Sequence, residues 1–224
     1  MGETVTLTAE DGAKFSAYVA KPAGKPRGGV VVIQEIFGVN HHIRAVTDRY
    51  AAEGYVAVAP ALYDRVQGGY ETGYTQEDVQ SGMTTRAKTD PAKVLLDVKA
   101  AVAEAGKGGK VGVVGYCWGG LLTWRAAALV QGLSAAVPYY GGGTTTEQEI
   151  ARHPNCPVMA HYAKEDHWIG LDTVETFAKA HPEVTVHLYD ADHGFNCDHR
   201  GSYQKASADL ARERTLAFLE EHLA

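Results

Sequence analysis

Residues 111–120 read Val-Gly-Val-Val-Gly-Tyr-Cys-Trp-Gly-Gly, and few backbones accommodate that run. An apolar, β-branched stretch stops at Gly115, Cys117 follows two positions later, and Gly119 opens a segment rich in Ala and Leu. The first part favours a strand and the last a helix, with no residues left over for a loop between them. The chain must therefore turn sharply at Cys117. Small residues on both sides let strand and helix pack closely while the residue at the tip is presented on a strained turn. The alternative is an inert core cysteine, because free Cys is among the most buried residue types.

Elsewhere the chain alternates between the two periods. Residues 4–8 and 15–21 alternate apolar and polar side chains around Asp11-Gly12, which predicts a β-hairpin. Val30-Val31-Val32-Ile33 is an unbroken run suited to a strand covered on both faces. A helix is expected over 41–53, a strand over 55–60, a helix from Asp90-Pro91 to about Gly106, and strands over 133–140, 157–162 and 184–189. Helices are expected over 173–181 and 203–223. Residues 62–89 lose the periodicity except for a possible short helix near 77–83, and read as an insertion or lid, or equally as a solvated loop. The pattern predicts one α/β domain over 1–224: a mostly parallel twisted sheet with helices on both faces and an N-terminal antiparallel hairpin.

Composition narrows the partners. A net charge of −6 without a basic block argues against nucleic acid or an anionic membrane as partner. No run approaches membrane-spanning length, and residues 1–7 lack the basic and apolar regions of a secretory leader. Three cysteines, Cys117, Cys156 and Cys197, fit a reducing cytoplasm better than a disulfide framework.

In a parallel sheet, ligands gather at the carboxyl ends of the strands, and three such ends carry the residues of a nucleophilic triad. Cys117, Asp166 and His193 follow one another in the order nucleophile, acid, histidine, which is that of the α/β-hydrolase fold. A thiol with a pKa of ~8.5 is mostly protonated at neutral pH and needs a base. His193 would accept its proton, and Asp166 would orient the imidazole. The start of the following helix also favours a thiolate. His193 is preferred to His187, which lies inside a strand pattern, and to His199. A metal site of His193, Cys197 and His199 matches no familiar zinc spacing. Oxyanion donors are expected at the backbone N–H of Trp118 and of Ile36, in Gln34-Glu35-Ile36-Phe37-Gly38. Glu35 at a buried strand tip calls for a partner, and Arg44 is a candidate.

Together, Gln34-Glu35-Ile36-Phe37-Gly38, Val58-Ala59-Pro60-Ala61-Leu62-Tyr63, Gly115-Tyr116-Cys117-Trp118-Gly119-Gly120, Tyr139-Tyr140-Gly141, the Asp166 loop and His193-Gly194-Phe195 resemble the dienelactone hydrolases, or carboxymethylenebutenolidases. The resemblance implies opening of an unsaturated lactone through an acyl-enzyme on Cys117, with Glu35 interacting with the thiol and gating its ionisation. It implies a small lactone or ester as substrate. No metal or organic cofactor is expected, since covalent hydrolysis of this kind requires none. The family's arginine four residues after the histidine is Cys197 here, with Arg86 and Arg200 as nearby substitutes. The rival functions are a general esterase or thioesterase on the same triad, and a non-catalytic ligand-binding module.

Overall fold

The structure is a computed structural model and describes residues 2–224. Eight strands form one sheet: β1 (Glu3–Thr8), β2 (Lys14–Ala20), β3 (Gly29–Ile33), β4 (Val56–Pro60), β5 (Val111–Tyr116), β6 (Leu133–Tyr139), β7 (Met159–Ala163) and β8 (Thr185–Tyr189). Their spatial order is β1-β2-β4-β3-β5-β6-β7-β8. The first two strands are antiparallel to their neighbours, and β4 through β8 run parallel. Every residue of β3, β4 and β5 is buried, as their unbroken apolar runs require when helices cover both faces. The edge strand β1 largely alternates in exposure instead, and β8 is only partly buried.

The helices are α1 (His41–Ala52), α2 (Gln76–Ala87), α3 (Pro91–Ala105), α4 (Trp118–Leu129), α5 (Glu147–Ile150), α6 (Leu171–Ala180) and α7 (Lys205–Leu223). On one side α1 and α7 are joined by the Arg212–Glu53 ion pair. On the other, Trp124 of α4 meets Phe177 of α6 edge-on at 5.0 Å. Local chemistry sets the starts: the Asn40 side chain accepts from the Ile43 N–H, and Asp90 accepts from the Ala92 N–H ahead of α3, whose first residue is Pro91.

Two elements exceed the expectation from sequence. The helix in the 62–89 insertion is longer than 77–83: the Thr75–Asp78 capping box starts it at Gln76, one residue earlier, and it runs four residues further, to Ala87. The single turn α5 is too short to show periodicity. It forms around buried Glu149, whose carboxylate accepts from Arg125 and Arg152 while its carbonyl accepts from Trp124 Nε1. Among the described residues no helix is long and apolar enough to cross a membrane.

Candidate active site

Cys117 sits between β5 and α4 with φ 55° and ψ −114°. A non-glycine residue held there stores of order 1–3 kcal/mol. Backbone bonds hold it in place: Cys117 N–H donates to Tyr139 O at 3.1 Å, and Cys117 O accepts from Gly120 N–H at 2.9 Å. The flanking glycines leave no room for a side chain. A Cβ on Gly115 would lie 2.1 Å from Gly119 O, and one on Gly120 would lie 2.6 Å from Tyr139 O. The strand and helix therefore approach as the sequence demanded, and the half-buried thiol faces a cleft.

Asp166 follows β7 and His193 follows β8, so both lie at the same sheet edge as Cys117. One Asp166 oxygen accepts from the Trp168 and Ile169 N–H groups at 2.8 and 3.0 Å. The other meets His193 Nδ1 at 2.8 Å. With Nδ1 engaged, Nε2 is the nitrogen left to serve Cys117, which lines the same cleft. Burial disfavours the imidazolium, but the charge of Cys117 and the hydrogen bond that Nδ1 donates to Asp166 outweigh it and raise His193 to about 10. The competing histidines are elsewhere: His187 lies in β8, stacked on His161, and His199 sits beside Asp198.

Ile36 and Cys117 line the same cleft of about 430 Å³. The Ile36 N–H takes no part in the loop's backbone hydrogen bonds. Trp118 opens α4, where an N–H has no intrahelical acceptor. The two expected oxyanion donors are thus both uncommitted. Arg86 from α2 and Arg200 put two cations on the cleft wall, beside apolar Phe37, Val79, Met83 and Trp168.

Glu35 differs from expectation in its partner. Arg44 pairs with Glu71 across the insertion, and the Glu35 carboxylate, 1% exposed, instead accepts from Arg200 Nη1 at 3.0 Å. Its second oxygen is buried without a hydrogen-bond partner. Glu35 and Arg200 are 165 positions apart, so no local pattern could pair them. A faint signal does exist at Gly194 (φ 81°), where a Cβ would sit 2.4 Å from Arg200 Nη1. A glycine directly after the histidine marks the passage of a large side chain. Cys197 is fully buried, and burial, reinforced by the Glu35 charge, pushes its thiol up to about 12. It clusters with Glu35 and His42, whereas His193 joins no metal-ligand grouping among the described residues.

With this geometry in view, comparison with known proteins is decisive. The sequence profile of the dienelactone hydrolase family matches residues 15–223. The chain belongs to the dienelactone hydrolase family. Two curated family relatives bear the name "Putative carboxymethylenebutenolidase". The protein from Synechocystis sp. is 36% identical, with 94% of this chain and 93% of its own length covered. The protein from Escherichia coli is 35% identical, with 97% and 86% covered. A Klebsiella pneumoniae crystal structure named "Putative Dienelactone Hydrolase" superposes with a TM-score of 0.83 at 34% identity, covering 96% of this chain and 98% of that one. Membership in the dienelactone hydrolase family makes the protein a carboxylic ester hydrolase of the α/β-hydrolase fold.

Proposed function

We propose that the protein opens a lactone or cleaves a small carboxylic ester through an acyl-enzyme on Cys117. The observation that carries this reading is the juxtaposition, in one cleft, of a strained Cys117 with a His193 already hydrogen-bonded to Asp166. A binding module has no use for an oriented base beside a strained thiol.

The Cys117 sulfur, its proton held on His193, attacks the carbonyl carbon, and the π pair moves onto oxygen. The N–H groups of Trp118 and Ile36 stabilise that oxyanion. Collapse breaks the acyl C–O bond, and the departing enolate or alkoxide takes the proton from His193. Water then gives a proton to His193 and attacks the thioester, and Cys117 leaves as thiolate. Asp166 keeps the imidazole in one tautomer throughout. Glu35 fixes Arg200 against the cleft, so Arg200 and Arg86 favour a substrate that carries an anionic group. A single domain acting on a small molecule in the cytoplasm is consistent with these features.

Time courses with cis- and trans-dienelactone, a simple aryl ester and an acyl-thioester test the assignment and separate the rival hydrolases. Cys117→Ala is expected to abolish turnover, while Cys156→Ala leaves most of it. Equal loss in both variants, or full activity in Cys117→Ala, refutes the nucleophile assignment.

A further inference from the structure

Beneath the cleft, three potential ligands converge. His42, Cys197 and Glu35 are all buried, and a ring nitrogen, the sulfur and a carboxylate oxygen lie within 4.8 Å of one another. Partners hold the cluster from its outer side. His42 Nδ1 meets Asp198 Oδ1 at 3.0 Å, which leaves Nε2 as its free nitrogen. The Tyr74 hydroxyl and the His199 backbone N–H lie beside the Cys197 sulfur and favour its thiolate. Glu35 accepts from Arg200 through Oε1, while Oε2 is buried with no partner. A buried carboxylate oxygen without a donor is unfavourable unless a ligand satisfies it.

We propose that His42, Cys197 and Glu35 form a binding site for a thiophilic divalent cation, with Zn²⁺ the best match. A sulfur, imidazole and carboxylate set suits Zn²⁺ over Mg²⁺ or Ca²⁺, and a fourth tetrahedral position remains for water. The ligand atoms lie within 4.8 Å of one another, and binding would draw them in to bond lengths of about 2.0–2.3 Å around the ion. The histidine and the carboxylate already have the outer partners that such sites use, the Asp198 carboxylate behind His42 and the Arg200 guanidinium on Glu35. Cys197 would bind as thiolate and release its proton to solvent. His42, Asp198 and His199 form a second, overlapping group whose outer members are exposed, giving the ion a route inward. The cation would satisfy Glu35 Oε2 and tie the Glu35–Arg200 pair to the fold.

The test uses the intact protein, with Co²⁺ as an optical probe and Zn²⁺ in competition with a chromophoric chelator. One Co²⁺ per chain is expected, with a thiolate-to-metal charge-transfer band that Zn²⁺ removes. Cys197→Ser should eliminate the band, Cys117→Ala should keep it, and Asp198→Asn should weaken affinity 10–100-fold, as loss of an outer partner does. Circular dichroism melts of the variants check that each remains folded; Cys197→Ser is close to isosteric. Absence of the band, its survival in Cys197→Ser, or its loss in Cys117→Ala overturns the proposal. None of these readouts depends on turnover, so the site and the hydrolase mechanism stand or fall separately.

Discussion

Gly119→Ala tests the elbow at its tightest point. A Cβ there would lie 2.4 Å from Ile33 O and 2.6 Å from Gln34 O, whereas ordinary contact begins at 3.4 Å. Both obstacles are backbone atoms of a fully buried strand and the loop that follows it, so neither can swing aside. Relief requires α4 to retreat by roughly 1 Å, a misplacement that can cost ~10²-fold in rate when it shifts reacting groups. Here it moves Cys117 and the Trp118 N–H together. Overpacking costs about 1–3 kcal/mol, offset by up to ~1 kcal/mol of helix propensity gained over glycine. The net loss of stability is therefore modest, on the order of 1 kcal/mol or a fall of ~2–4 °C in Tm. The expected result is a large drop in kcat/KM with a small drop in Tm. Gly132→Ala is the control. Its φ of 85° strains an alanine but no atom lies within 4 Å, so it should lose similar stability and no activity. Wild-type kcat/KM in Gly119→Ala would refute the argument that close packing at the elbow positions the nucleophile.

Asp166→Asn should leave the fold intact and lower kcat by about 10⁴-fold, because an amide beside Nδ1 no longer selects the required tautomer; initial rates on an aryl ester decide it. The raised pKa of His193 also predicts a pH-dependent stability. Its folded value of about 10 exceeds the unfolded ~6.5, so its stabilisation is full below pH ~6.5 and is lost as pH rises through about 10. The Tm gap between wild type and His193→Gln should shrink across that window, and a constant gap counts against it. Away from the site, buried Asp97 accepts two hydrogen bonds from Arg65, which also pairs with Asp11. Asp97→Ala should cost about 3 kcal/mol, the lower end for a broken buried pair, read as a fall of roughly 6–12 °C in Tm.

The parts of this fold that were legible share one property: their signals are local. The β3 and β5 runs, the Asp90-Pro91 start and the glycines around Cys117 each state their structure within a few residues. Cys117, Asp166 and His193 could be grouped because each follows a strand, and a parallel sheet delivers such positions to one edge. The Glu35 partner was not legible. Arg44 is nine residues away and Arg200 is 165 away, and only the packing of the His193 loop against the β3 loop chooses between them. The α2 insertion was half legible. Its capping box is a local pattern, but its contribution of Val79, Met83 and Arg86 to the cleft depends on how Gly82 seats it. A Cβ there would lie 2.6 Å from Ile36 O.

The same distinction resolves the apparent loss of an arginine at Cys197. Counting four residues from His193 assumes an extended spacing, but the chain there is tightly coiled. Cys197 N–H donates to Gly194 O, Arg200 N–H to Cys197 O and Tyr203 N–H to Arg200 O, at 2.9, 3.0 and 3.1 Å. These turns fold the chain back on itself and bring Arg200, rather than residue 197, to the cleft wall beside Glu35. The guanidinium reaches Glu35 and packs 5.8 Å from the Phe37 ring centre, while position 197 holds a small, fully buried thiol. A charged residue at the cleft wall is thus retained, and a soft ligand atom is placed next to the carboxylate that charge holds.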